Sequence, residues 1–305
     1  MTEAEAPIAL FDSGVGGLSV WREVVRLLPA ESTLYLADQA HLPYGPRPLE
    51  EVRRYAEGIT RFLLAQGAKV IVVACNTASG AALHHLRATF PEVPFVGMEP
   101  AVKPAAERTR TGAIGVIATP ATFQGDLFRR LVERFAADVA LHTQVCPGLV
   151  EAVERGEADD PRTEALLHRY LDPMVAAGID QLVLGCTHYP FLTGAIRRVV
   201  GEGVALIDPA PAVARQVRRV LAARGLLREP SASRPDHRFY TTGSVETMRE
   251  QAARLVGYRG AVLPLRWEED ERLRATAWQR ATYQRNEPHF RTERSKRWST
   301  RSTAQ

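Results

Sequence analysis

The sequence predicts an α/β fold of two similar domains, each a mainly parallel sheet flanked by helices. Three observations carry this. Short β-branched and aliphatic runs alternate with stretches of helical periodicity along most of the 305 residues. Glycine and proline stand between the runs, where the chain must turn. The strand–loop–helix pattern also restarts near Gly112, so the second half retraces the first. Such alternation favours parallel pairing, because a parallel neighbour is reached through a crossover, usually a helix.

Each element has a local reason. "IALFDSGVGG" (8–17) is a buried strand running into a glycine turn, and "LSVWREVVRLL" (18–28) follows with helical spacing. "STLYLAD" (32–38) is a second strand, and "HLPYGPRP" (41–48) is a loop held by three prolines and a glycine. "LEEVRRYAEGITRFLLAQG" (49–67) is an amphipathic helix closed by glycine. "AKVIVVAC" (68–75) is the third strand, "SGAALHHLRATF" (79–90) a helix and "VPFVGM" (93–98) a strand. The second round begins with the strand "GAIGVIAT" (112–119) and the helix "FQGDLFRRLVERF" (123–135). After a strand near "DVALHTQV" come helical segments up to Gly178, the strand "DQLVLGC" (180–186), and the helix "FLTGAIRRVVG" (191–201). The strand "VALIDPA" (204–210), the helix "AVARQVRRVLAARG" (212–225) and the strand "HRFYTTGS" (237–244) complete the series.

Composition limits what such a chain can be. Hydrophobic residues make up 45% and charged residues 24%, ordinary values for a globular protein. The start, "MTEAEAPIALFDSG", lacks the basic stretch and apolar run of a secretory signal, and no apolar segment reaches 18 residues, so neither export nor a membrane span is expected. Three cysteines do not suggest a disulfide framework and fit a reducing cytoplasm. The net charge of +4 divides unevenly: residues 272–305 hold nine basic and two acidic residues, +7, which leaves +4 − 7 = −3 for the rest. A basic tail can touch nucleic acid, but a solvated, flexible extension is the reading preferred, and nucleic acid is not an expected partner.

Chemistry concentrates at strand ends. In "VIVVACNTASG" (70–80) an apolar run finishes on Cys75, Asn76 and Thr77; in "QLVLGCTHYP" (181–190) another finishes on Cys186, Thr187 and His188. A lone cysteine is by default a small buried hydrophobe, which accounts well for Cys146 in "TQVCPGLV". It accounts poorly for two cysteines in matching contexts. Ligands of open parallel sheets bind beyond the carboxyl ends of strands, so facing halves would bring both thiols to one cleft. There is no Cys-x-x-Cys pair and no His-x-x-x-His helix, so no metal is expected. A redox dithiol stays open beside a ligand held between the thiols. Two such groups can invert a stereocentre, one thiolate taking a proton from carbon while the other thiol delivers one to the opposite face. Asp12 and Ser13, in the glycine-rich turn "FDSGVGG" (11–17), are further candidates, since such a turn at a helix start favours an anion. His188 is placed to orient a group or pass a proton. The three lysines, Lys69, Lys103 and Lys296, sit in no evident cofactor context, so no cofactor is expected.

Together, "FDSGVGG", "PYG" (43–45), "ACNTAS" (74–79) and "GCTHYP" (185–190), in this order and spacing, resemble the bacterial glutamate racemases over roughly Ile8 to Leu265. The resemblance implies a cofactor-independent, cytoplasmic, often dimeric isomerase that interconverts L- and D-glutamate and supplies D-glutamate for peptidoglycan. It implies that Cys75 and Cys186 are catalytic, the first acting on the D- and the second on the L-enantiomer, assisted by Asp12 and His188. Ser13, Tyr44, Gly45, Asn76, Thr77 and Thr187 match substrate-binding positions. "TPATFQ" (119–124) resembles the family's threonine segment and adds Thr119 and Thr122, and Glu154 falls where the family usually carries a glutamate near the site. The sequence departs from the family at "FQGDLF" (123–128), where a serine and a tyrosine are common. The domains expected are 8–99 with 209–266, then 100–208, with 267–305 as the flexible extension. A racemase of aspartate or another amino acid stays open, as does a non-catalytic binding protein for a small carboxylate.

Overall fold

The structure, a computed structural model, describes residues 2–230 and 234–275. Within them the strands are β1 (Ile8–Asp12), β2 (Thr33–Ala37), β3 (Val70–Val73), β4 (Phe95–Gly97), β5 (Ala113–Ala118), β6 (Ala140–Val145), β7 (Gln181–Gly185), β8 (Ala205–Ile207), β9 (His237–Thr241), β10 (Val262–Trp267) and β11 (Leu273–Ala275). They form two sheets, ordered β11-β10-β9-β2-β1-β3-β4 and β6-β5-β7-β8. Every pairing is parallel except β10 with β11. The run β2-β1-β3-β4 in the first sheet repeats as β6-β5-β7-β8 in the second, so the restart near Gly112 is a true structural repeat.

The order explains where the polar residues sit. β1 and β3 are central and buried along their whole length, as are β5 and β7. A strand covered on both faces must be apolar throughout, which is why these segments read as unbroken aliphatic runs. In each sheet the chain goes to one side of the first strand and then returns to its other side. That reversal lies between β1 and β3, and again between β5 and β7, and it opens a crevice at the strands' carboxyl ends. The helices cover the sheets with their apolar stripes. In Leu18–Leu27 the buried apolar residues are Leu18, Val20, Trp21 and Val24, with Ser19 buried among them, and this helix packs on Ala210–Ala223. No helix among the described residues is long and apolar enough to cross a membrane.

Three boundaries differ from expectation. The helix after β3 starts at Asn76, not at residue 79: Cys75 is extended and caps it, its sulfur accepting the backbone N–H of Ala78 at 3.5 Å, and the polar Asn76 and Thr77 take the first turn. The segment 123–135 is broken at Gly125, whose extended backbone (φ −71°, ψ 141°) separates Pro120–Gln124 from Asp126–Phe135. The expected extension from residue 267 is corrected for its first part. Trp267 ends β10, Leu273 is buried in β11, and the Trp267 indole N–H donates to Asp38 Oδ1 at 2.7 Å. These aromatic and apolar groups give the segment a face to pack. The remainder of the extension, 276–305, lies outside the described residues.

The glycines of "FDSGVGG" admit close neighbours. A Cβ on Gly14 would stand 2.1 Å from Glu154 Oε1, and one on Gly16 would stand 2.4 Å from His188 Nδ1. At Gly17 it would meet Ala74 O, Asp12 Cβ and the Tyr35 hydroxyl, each at 2.9 Å. A backbone carbonyl inside a packed sheet cannot withdraw as a side-chain tip can. Gly17→Ala is therefore expected to destabilise the fold by about 1–3 kcal/mol, the range for overpacking a tight interior, read as a lowered urea midpoint at unchanged slope; an unchanged midpoint would refute the close packing of this turn.

Candidate active site

The carboxyl ends of β1, β3, β5 and β7 converge on one small cavity. Its walls are Asp12, Ser13, Pro43, Tyr44, Gly45, Cys75, Asn76, Thr77, Thr119, Val150, Cys186, Thr187 and His188. It is a narrow cavity, about 20 Å³ in volume. Of the residues expected from the sequence, all line this cavity except Thr122 and Glu154, which lie one hydrogen bond behind Thr119 and His188. Thr77 Oγ1 is 2.9 Å from Thr119 Oγ1, and Thr119 Oγ1 is 3.0 Å from Thr122 Oγ1. Pro43 and Val150 were not anticipated, because their residue types carry no chemical signal.

The two thiols sit in unlike surroundings. Cys75 is buried at a helix N-terminus, a position that favours a thiolate. Burial acts the other way and dominates. Together with the negative charge of Asp12, it pushes the Cys75 thiol well above its usual range, and the Ala78 N–H offsets only part. Asp12 is fully buried. Its Oδ1 accepts Ser13 N at 2.7 Å, and its Oδ2 accepts Gly17 N at 2.5 Å and Thr187 Oγ1 at 3.2 Å. Burial nevertheless raises its carboxyl pKa, against the lowering pull of His188, Cys75 and those donors. The two groups act on each other: the charge of Asp12 raises the pKa of the Cys75 thiol, and the thiol pulls that of the Asp12 carboxyl down.

In the same cavity, Cys186 Sγ lies 3.7 Å from His188 Nδ1, and His188 Nε2 lies 2.8 Å from Glu154 Oε1. Burial disfavours a charged ring, but the hydrogen bonds and charges of Cys186 and Glu154 outweigh it and hold His188 well above the usual imidazole range. Burial likewise works against the Glu154 carboxylate, yet His188, the backbone N–H of Val15 at 2.9 Å and Gln39 keep its pKa low. Cys186 thus faces a cation, whereas Cys75 faces a carboxylate.

The remaining walls offer hydrogen bonds. Asn76 is buried, and neither its amide nitrogen nor its oxygen has a partner among the described residues. An unpaired buried amide costs free energy until something fills it, so Asn76 is a candidate ligand contact. Tyr44 is held by its hydroxyl, which donates to the buried Asp38 Oδ2 at 2.7 Å. Asp38 also accepts Thr242 Oγ1 at 2.8 Å, alongside the Trp267 contact. Asp38, Gln39 and Gln251 escaped the sequence reading: Thr242 and Trp267 reach Asp38 from more than 200 residues away, and no local spacing signals such partners.

Two buried thiols lining one pocket at paired sheet crevices are what an acid–base isomerase would require, and the comparisons give the family. The chain belongs to the Asp/Glu/hydantoin racemase family, whose model matches residues 8–217. A glutamate racemase of Roseiflexus sp. (strain RS-1) is 51% identical over 253 residues, 83% of this chain and 93% of that one. Among solved structures, a glutamate racemase of Bacillus anthracis superposes with a TM-score of 0.79 at 36% identity, covering 86% of this chain and 97% of that one. A glutamate racemase of Francisella tularensis in complex with D-glutamate gives 0.76 at 27% identity, with the same coverage.

The His188–Glu154 pair has a definite pH signature. A raised His188 pKa stabilises the fold below the unfolded value of 6.5 and is lost as pH climbs through the folded one. A lowered Glu154 pKa stabilises above 4.5 and is lost as pH falls through its folded value. The pair is therefore intact from below 4.5 to above 6.5. Glu154→Gln is expected to lower the His188 pKa, as followed by imidazole NMR titration; an unmoved His188 titration would show that Glu154 does not set its charge.

Proposed function

We propose that this chain interconverts L-glutamate and D-glutamate without a cofactor, with Cys75 and Cys186 as the paired acid–base groups. The observation that carries it is the placement of two buried thiols at equivalent strand ends of a structural repeat, both lining one cavity. The substrate follows from the racemases that this chain matches at about half identity over most of its length. The product serves peptidoglycan synthesis, and the place of action is the cytoplasm. The lobes are 8–99 with 209–275, and 100–208, and the active species is a homodimer.

In the reaction one thiolate takes the α-proton, and the electron pair of the C–H bond passes to a planar carbanionic intermediate. The opposite thiol gives its proton to the other face. The first thiolate becomes a thiol, the second thiol becomes a thiolate, and the stereocentre is inverted. Cys186 deprotonates the L-enantiomer and Cys75 the D-enantiomer. His188 serves the first and Asp12 the second. Asn76, Thr77, Thr119 and Ser13 hold the substrate carboxylates. Tyr44, Gly45 and Thr187 close the pocket around it, and Thr122 fixes Thr119.

An α-proton is a weak acid and a thiolate a mild base, so the site must stabilise the developing charge. Fixed donors in a water-poor cavity do so without reorganising during the step. Holding the substrate between two sulfurs replaces two encounters by one fixed geometry.

The direct test is racemisation of L- and D-glutamate by the purified protein, followed by chiral chromatography. Turnover is expected with no added cofactor, and Cys75→Ala and Cys186→Ala are each expected to retain less than about a tenth of it, a loss above ~1.4 kcal/mol of barrier. A folded variant above that level would refute the two-thiol scheme. Turnover of aspartate in place of glutamate would refute the substrate alone.

A further inference from the structure

The Cys186 side of the site is tied to a distant element. The helix Val245–Val256 presents Gln251, buried at 4% exposure, to the end of the helix Leu149–Arg155. Gln251 Nε2 donates to Glu154 Oε2 at 2.8 Å and to the Glu154 carbonyl at 2.9 Å. Its Oε1 accepts Gln39 Nε2 at 2.7 Å, and Gln39 Oε1 accepts Thr241 Oγ1 at 2.8 Å. The series runs on through Glu154 and His188 to the Cys186 sulfur. Gln39 Nε2 also approaches Glu154 Oε2 directly, at 3.4 Å, so the two amides hold this carboxylate together, with Gln251 accepting from one neighbour and donating to the other. A carboxylate there would repel Glu154, and an apolar group would leave Gln39 and Glu154 short of partners.

We propose that Gln251, seconded by Gln39, is a positioning residue for one of the two proton transfers: it fixes the Glu154 carboxylate, and through it the orientation and charge of His188 against Cys186. The proposal rests on the reading of Cys186 as an acid–base group. Cys75 has no equivalent tether, since Asp12 is held by its own turn and by Thr187. Partners of this indirect kind govern how well the group they hold performs. The same helix also offers a purely structural contact. The Arg254 guanidinium approaches the carbonyls of Val153 and Glu154 at 3.5 and 3.4 Å.

The overall equilibrium between enantiomers is untouched by any mutation, so kcat/KM must fall equally in both directions, and rates alone cannot reveal a one-sided defect. Isotope effects can. With Gln251→Leu, kcat/KM for glutamate is expected to fall about tenfold or more. The effect of deuterium at Cα should rise for the enantiomer that Cys186 deprotonates and shrink toward unity for the other, because the Cys186 step becomes limiting in both directions. Gln39→Leu, farther from the packed helix, is expected to shift both effects in the same sense should Gln251→Leu fail to fold. Arg254→Ala is expected to lower Tm while leaving the ratio of the two isotope effects unchanged. A folded Gln251→Leu enzyme within about twofold of wild type would overturn the proposal, and so would a slower one with the wild-type ratio. Persistent racemisation by Cys186→Ala would instead overturn the reading on which it rests.

Discussion

A single carboxylate with no exposure to solvent, Asp12, ties the two halves together where they meet. It closes its own turn through Ser13 N and Gly17 N, raises the pKa of the Cys75 thiol, and receives the Thr187 hydroxyl from the second half. Leaving such a group unpartnered would cost far more than any one contact supplies. The turn "FDSGVGG" is therefore constrained on three sides, and its glycines are the places where Glu154, His188 and the sheet press against it. The order of the sheets follows the same logic: only strands buried on both faces deliver these residues to the interior, and only at their carboxyl ends.

Burial and charge compete at each thiol, and the outcome differs. Around Cys75, desolvation and a neighbouring acid act in the same direction, so this thiol holds its proton. Around Cys186, the nearest titrating partner is an imidazole kept charged by Glu154. In surroundings poor in water these interactions are felt more strongly than at the surface. The repeat supplies two equivalent sulfurs, and their neighbours make one a proton donor at rest and give the other a cationic partner. A pair of that kind suits a reaction that needs one base and one acid at the same moment.

Much of this was legible in the sequence, for identifiable reasons. The runs ending in Cys75 and Cys186 were visible because strands buried on both faces leave no polar alternation, and the polar triplets stand out at their ends. Asp12, Thr119 and His188 were found by the same rule. Helix starts were less visible: Asn76 and Thr77 read as loop residues until Cys75 is seen to cap them. The packing of Trp267 and Leu273 was hidden by a charged surrounding sequence. Gln39 and Gln251 could not have been found locally, since an amide carries no periodic signal and Gln251 meets Glu154 across 97 residues.

The central claim is that two groups, on opposite faces of one carbon, exchange protons with it. It is tested most directly in heavy water, starting from a single enantiomer and stopping early. Deuterium at Cα is then measured in the product and in the residual substrate. Two opposed thiols predict product that carries solvent deuterium at Cα while the residual substrate stays almost unlabelled. Product that keeps the substrate's own proton, or residual substrate that labels as fast as product forms, would mean one base acting on both faces and would contradict the account.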